Sequence, residues 1–281
     1  MEGIAAGGGS NEGAIGAVEI YNPDLDTWQL IEDMNMFRHH HTATLLANGE
    51  VLMVGGYAWS PTSDRSQMDD KRHTAEVFDP VTNTFYLVGE MNHSRLGISA
   101  TLLPNGKVLI IGGIDNNSQT LNNAEIFDPA TGSFSFTGSL VHGRRHLDNI
   151  VLLQDGTVFI RGGYGEESSR SAELFDSVNG QFEPIIALDG SPRRYEHESV
   201  LLASGEVLVT GGTCGGCTAG SGILSSVELY SPEIKSLRSV PSLIQPRVGH
   251  SVVVLTDGRV LVVGGSSKWR EALSSVEIYY P

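Results

Sequence analysis

No stretch of ten or more residues in this chain carries the apolar stripe of a helix, and that absence points to an all-β protein. Nor does any apolar run approach the roughly 20 residues of a membrane-spanning helix. The start, Met1-Glu2-Gly3, has neither the basic residues nor the apolar core of a signal peptide, so the chain taken literally is soluble and stays where it is made. Basic residues are scarce: 18 Lys and Arg stand against 33 Asp and Glu, a formal net charge of −15. That balance argues against a nucleic-acid partner, which needs clustered Lys and Arg, and reads as a solvated acidic surface. Cysteine is limited to Cys214 and Cys217, in a Gly-rich loop. With no helix N-terminus to depress a thiol pKa, thioredoxin-like chemistry is excluded. The pair is a candidate disulfide in an exported protein and two free thiols in a reducing compartment.

What the chain has is a repeat. Apolar runs end in Gly-Gly at Gly55-Gly56, Gly112-Gly113, Gly162-Gly163, Gly211-Gly212 and Gly264-Gly265, with a weaker copy at Gly7-Gly8. Downstream of each comes apolar-Glu-apolar-aromatic followed by a turn, centred on Glu19, Glu76, Glu125, Glu173, Glu228 and Glu277, at intervals of 57, 49, 48, 55 and 49 residues. Self-similarity at this period marks an array of one small unit. Before each of the last five Gly pairs a second apolar run is set off by Asn48-Gly49, Asn105-Gly106, Asp155-Gly156, Ser204-Gly205 or Asp257-Gly258, which predicts a β-hairpin of strands A and B. The Glu block is strand C, and the Asp-Pro after it starts a turn. Strand D follows, opening on Trp28, Phe85, Phe134, Phe182 or Leu237. A four-stranded sheet of about fifty residues cannot bury both faces alone, so successive sheets must stack, and radial stacking gives a propeller.

The Gly pair, the Glu-x-aromatic-Asp-Pro block, the later aromatic, and an Arg ahead of strand A (Arg38, Arg95, Arg144, Arg193, Arg247) together resemble the kelch repeat family along essentially the whole chain. The wording of the hairpins is closest to prokaryotic kelch proteins and, more distantly, to the galactose-oxidase propeller. The resemblance implies one kelch β-propeller domain over 1–281, all-β, of about six blades with four antiparallel strands each. The expected units are 1–36 (partial), 37–93, 94–142, 143–191, 192–245 and 246–281 (partial). The first lacks strand A and the last strand D, which suggests a piece of a longer precursor whose missing part could carry a secretion signal. As written the chain is expected to be cytoplasmic, and extracellular or periplasmic if it is a fragment of a longer secreted precursor.

In such a propeller the B–C and D–A loops emerge on one face. Those loops vary here while the opposite ones are short and uniform, so that face is the candidate binding site. The residues expected there are Arg38, His41, Trp59, Arg72, Arg95, Arg144, Arg145, Asp148, Tyr164, Arg247, His250 and Trp269. Arginines interleaved with aromatics suit carboxylates or sugars, although an Arg ahead of strand A in a kelch repeat often satisfies carbonyls between blades. His41, His197 and His250 occupy equivalent positions on three blades, with Ile98 and Asp148 at the other two. They are too dispersed for a metal site to be assigned, and no cofactor is expected. The family resemblance offers three functional classes. A copper radical oxidase like galactose oxidase needs a cross-linked Tyr-Cys pair, and no Cys is placed to serve Tyr195. An enzyme like the sialic acid mutarotases would draw on Arg193, Arg194, Glu196 and His197, with Glu or His as acid–base and Arg holding a carboxylate. The third class, a non-catalytic module binding a protein or a glycan, is the preferred expectation, with sugar-active catalysis as the alternative.

Overall fold

The computed structural model describes residues 3–10, 13–59, 73–146, 150–165, 168–185, 191–214, 222–268 and 271–281. Their regular structure is β-strand apart from one short 3₁₀ turn at Ser168–Arg170. The chain forms two compact units, Met1–Gln119 with Ala124–Thr137, and Thr120–Asn123 with Gly138–Pro281.

Four antiparallel sheets have four strands each, in sequence order, and the first and last have three. The third sheet is representative: Ser99–Leu102, Val108–Ile111, Asn123–Asp128 and Ser133–Ser139 are strands A to D. The first sheet supplies B, C and D and the last A, B and C, as the repeat predicts. The fold is an all-β propeller of six blades, numbered I to VI below.

Local chemistry accounts for the strand connections. In every A–B hairpin the Gly N–H bonds the carbonyl three residues back, as Gly106 does to Leu103 at 2.9 Å, and Leu103 N–H bonds Lys107 O at 2.8 Å. This is a type I turn closed by a left-handed Gly, and Gly106 has φ +81°. Only the glycine takes positive φ. The residue before it works through its side chain instead: Asn48, Asn105, Asp155 and Asp257 each accept the backbone N–H two residues on, at 2.9–3.1 Å. At the C–D turns Asp79, Asp128 and Asp176 do the same for Val81, Ala130 and Val178.

In blades III and V strand B, Val108–Ile111 and Val207–Thr210, is buried along its length because it is sandwiched between neighbouring blades. The core lies between successive sheets. Leu52, Val54, Val77 and Phe127 meet Val108 and Ile110 in the first unit. Val151, Phe159 and Leu174 meet Val207, Val209 and Tyr230 in the second. Burying each such side chain contributes about 1.5–3 kcal/mol. On each blade of I–IV the strand C aromatic packs on the strand D aromatic, with ring centroids 4.8–5.2 Å apart, from Tyr21–Trp28 to Phe175–Phe182.

Beyond the Gly pair the A–B hairpin continues as a short neck that the sequence did not reveal. In blade II it is a two-stranded ribbon of Phe37–His39 with Tyr57–Trp59. In blades III to VI it is a single bridge: Leu96–Ile114, Arg145–Tyr164, Tyr195–Thr213 and Val248–Ser266. These necks carry Arg38, Arg145, Tyr164 and Tyr195 beyond the sheets.

Candidate binding face

The arginine ahead of each strand A turns inward. Arg38, Arg95, Arg144, Arg194 and Arg247 are all at 0% exposure. In each, Nη1 donates to the carbonyl of the first glycine of that blade's own pair: Gly55, Gly112, Gly162, Gly211 and Gly264, at 2.7–3.1 Å. The remaining donors meet the strand C glutamate, as in Arg38–Glu76 and Arg95–Glu125, both 2.9 Å, Arg247–Glu277 at 3.0 Å, and Arg144–Glu173. The same carboxylates accept backbone N–H groups of the chain arriving from the previous blade, at Asn35, Asn92, Val141 and Ile244. One Arg–Glu pin thus ties the incoming link, strand C and the Gly pair together, and buried guanidinium is tolerated because its charge is paired and most of its donors are met. Burial pushes Arg144 and Arg194 down to about 10, against the opposing pull of Glu173 and Glu228.

In blade V the pin is Arg194. The repeat alignment assigned this place to Arg193, which is one residue out, because two adjacent arginines precede strand A and only the fold distinguishes them. Arg161, which the sequence reading missed, is 1% exposed and gives Glu228 a second guanidinium, at 3.0 Å beside Arg194 at 3.3 Å. The signal was present, since the other complete hairpins have Val54, Ile111, Thr210 and Val263 at that place.

The histidines are also packed inward. A methyl group on Gly211 would lie 2.8 Å from the His250 ring, one on Gly162 3.2 Å from the His197 ring, and one on Gly7 3.0 Å from the His41 ring. Each imidazole covers the glycine of the preceding blade, and Ile98 fills the same role over Gly55. His250 Nε2 shares a 2.8 Å bond with Thr210, while neither ring nitrogen of His197 has a partner among the described residues. Among those residues no group of three His, Cys, Asp or Glu could hold a metal ion.

Burial first, and the nearby arginines second, push His250 and His41 down to about 4 and His197 well below the usual imidazole range. A folded pKa below the unfolded value of about 6.5 means that the unfolded chain takes up protons first as pH falls. Stability is therefore lost from about pH 7 toward pH 4, by up to about 1.4 kcal/mol per pH unit for each histidine. The melting temperature is expected to fall markedly between pH 7 and pH 5, and His250→Ile to flatten the profile; a profile already flat in the unaltered protein would contradict this.

The residues that reach the surface are different ones. On the neck of blade IV the Arg145 guanidinium lies 4.5 Å from the centroid of the Tyr164 ring, a cation–π contact. Tyr195 of blade V meets Tyr164 edge-on at 5.2 Å. Tyr164 is 42% exposed. Arg145 Nε and Arg193 Nε are buried atoms without a hydrogen-bond partner among the described residues, as is Nε of the pin Arg194. In the first unit His39 stacks on Tyr57 at 5.0 Å on the equivalent neck.

Two residues beyond each pin the chain adopts a left-handed conformation. Blades III and VI use Gly97 and Gly249 there, whereas His40, His146 and Glu196 hold φ of +55°, +51° and +53°. Non-glycine residues at such angles cost about 1–2 kcal/mol, and unforced strain of this kind gathers at working surfaces.

Of the four residues a mutarotase-like reading would use, Arg194 and His197 are fully buried while Arg193 and Glu196 are half-buried. Cys214 is disulfide-bonded and 3% exposed. Cys217, Arg72, Asp148, Trp269 and the side chain of Trp59 lie outside the described residues.

Known proteins share these features. The kelch motif matches residues 100–140. A stretch of 104 residues is 32% identical to Kelch-like protein 28 of Mus musculus, covering 36% of this chain and 17% of that protein. Another of 120 residues is 31% identical to Kelch-like protein 36 of Bos taurus, covering 42% and 19%. A third, of 108 residues, is 30% identical to an F-box/kelch-repeat protein of Arabidopsis thaliana, covering 38% and 26%. The matched stretches thus span about a fifth to a quarter of these relatives. Six blades with the Gly pair and the repeated Glu block, the last five with an arginine pin, agree with those matches: the chain carries the kelch motif and is similar to kelch-repeat proteins.

Proposed function

We propose that this propeller is a non-catalytic module that binds a protein or glycan partner through the face formed by its B–C and D–A loops. The Arg145–Tyr164–Tyr195 cluster carries the proposal: a half-exposed guanidinium seated on an exposed aromatic ring. Guanidinium over tyrosine suits a carboxylate in a peptide or an acidic sugar, through a charge-assisted hydrogen bond and ring stacking. The left-handed His146 and Glu196 flank the cluster in sequence at positions where sister blades use glycine.

The test is selection of ligands from a peptide display library and a glycan array. Selected ligands are expected to lose at least tenfold in affinity for Arg145→Ala/Tyr164→Ala. They should retain it for Val178→Ser, an exposed change on the C–D turn of blade IV, with both variants folded. Ligands that bind the double variant as tightly as the unaltered protein would overturn the proposal.

A further inference from the structure

A second site lies at the end of blades IV and V formed by their A–B hairpins and C–D turns. Leu153, Asp155, Glu206, Pro232 and Glu233 help to line a cavity of about 390 Å³. A smaller one of about 150 Å³ shares Leu153, Asp155 and Pro232 with it and adds Asp176, Glu183 and Tyr230. Five carboxylates line the two, against one amine, Lys235, which lies 3.7 Å from Glu183.

Acidity alone would say little, but Tyr230 adds an independent observation. Blades II to IV have Phe78, Phe127 and Phe175 at its position, each packed on a strand D aromatic. Blade V has Leu237 across from it, and the Tyr230 ring instead stacks on Phe159 of blade IV, centroids 4.4 Å apart. The residue is 0% exposed and its hydroxyl has no hydrogen-bond partner among the described residues. Packing needs no hydroxyl, as the sister blades demonstrate, and an unmet buried hydroxyl is costly. Burial, with Asp155 adding to it, pushes its pKa up to about 12, so the phenol stays neutral and its oxygen lone pairs can accept. Asp155 spends only Oδ1 in its own turn, on Thr157, and leaves Oδ2 without a bond among the described residues. Glu206 is engaged by Arg238 at 3.2 Å, and Asp176 by Val178 and Asn179.

We propose that this groove is a seat for a primary ammonium group, donating hydrogen bonds to Tyr230 Oη and to the Asp155 carboxylate. Three N–H donors and one positive charge match a phenol oxygen set among carboxylates. The group could belong to a free polyamine or to a lysine side chain of another protein.

The repeat itself supplies variants that should fold. Tyr230→Phe restores the residue of blades II to IV, and Asp155→Asn restores the turn residue of blades II and III, which keeps the Oδ1 bond. Titration calorimetry would use spermidine, a capped lysine peptide, and the same peptide with its side chain trimethylated. Spermidine or the lysine peptide is expected to bind one to one, with affinity reduced at least tenfold in either variant and in the trimethylated peptide. Spermidine binding alone would identify a polyamine site, and lysine-peptide binding a protein-docking site. Failure of both to bind, or binding unchanged by Tyr230→Phe or by trimethylation, would overturn the proposal. The groove and the Tyr164 cluster are built from different residues, so either reading can fail while the other stands.

Discussion

Glu228→Ala is expected to lower stability by about 5 kcal/mol or more, the largest effect of any single truncation in this protein. Breaking a buried ion pair by removing one partner costs about 3–5 kcal/mol, because the other charge is left without compensation. Glu228 has two such partners, Arg161 and Arg194, and also accepts the Ser191 hydroxyl at 2.8 Å. Burial alone would push its carboxyl up, but the two guanidinia outweigh that and hold it below the usual range. Its contribution is therefore present above the unfolded carboxylate pKa of about 4.3 and lost as pH falls through the lower folded value. Glu125→Ala, which strands only Arg95, should cost less, about 3–5 kcal/mol. Urea midpoints followed by circular dichroism would rank them. Since a domain's whole stability is about 5–15 kcal/mol, Glu228→Ala should come close to unfolding the chain. Adding Arg161→Met to it should restore part of the loss. Equal midpoints for the two alanine variants would mean that Arg161 does not share the carboxylate.

Gly212→Ala should cost about 3–5 kcal/mol, a surprising amount for one methyl group. Gly212 has φ +92°, and a Cβ there would sit 2.7 Å from Tyr195 O and 2.8 Å from His197 Cβ. The left-handed conformation accounts for about 1–2 kcal/mol. The rest comes from moving backbone, since Tyr195 O accepts the 2.9 Å bond from Thr213 that closes the neck of blade V. Gly258→Ala is the control: its φ is +87° but nothing lies within 4 Å, so only the conformational term applies, about 1 kcal/mol. If the two variants melt together, close approach at the Gly pair is not what selects glycine there. Because Tyr195 also faces Tyr164, Gly212→Ala should weaken ligand binding as well.

Most of the blade was legible in the sequence because its determinants are local. An Asn or Asp before Gly writes the A–B hairpin, Asp at the C–D turn bonds the next backbone N–H, and apolar runs of strand length mark the rest. What was hidden depends on residues far apart in sequence. Each pin joins residues about thirty apart, and the Arg161–Glu228 bond spans 67 positions. The sequence therefore displayed a row of arginines whose interior role the family resemblance suggested but no local pattern fixed, and it did not say that Arg194 rather than Arg193 continues the row. The proposed binding cluster was half visible: Arg145 and Tyr164 stood among the candidates, but the neck that pairs them is a single bridge with no sequence signature. Tyr230 looked like one more repeat aromatic, and its hydroxyl acquires meaning only from the absence of a partner among the described residues.

Arg144 and Arg145 are neighbours in sequence, yet one is a buried pin and the other a half-exposed guanidinium over Tyr164. The urea midpoints of Arg144→Ala and Arg145→Ala, measured side by side, test this division most directly. Arg144→Ala should lose about 3–5 kcal/mol by stranding Glu173, and Arg145→Ala no more than about 1 kcal/mol, the value of an exposed cation–π contact. Equal losses, or a larger loss for Arg145→Ala, would contradict the assignment of one arginine to the scaffold and the next to the binding face.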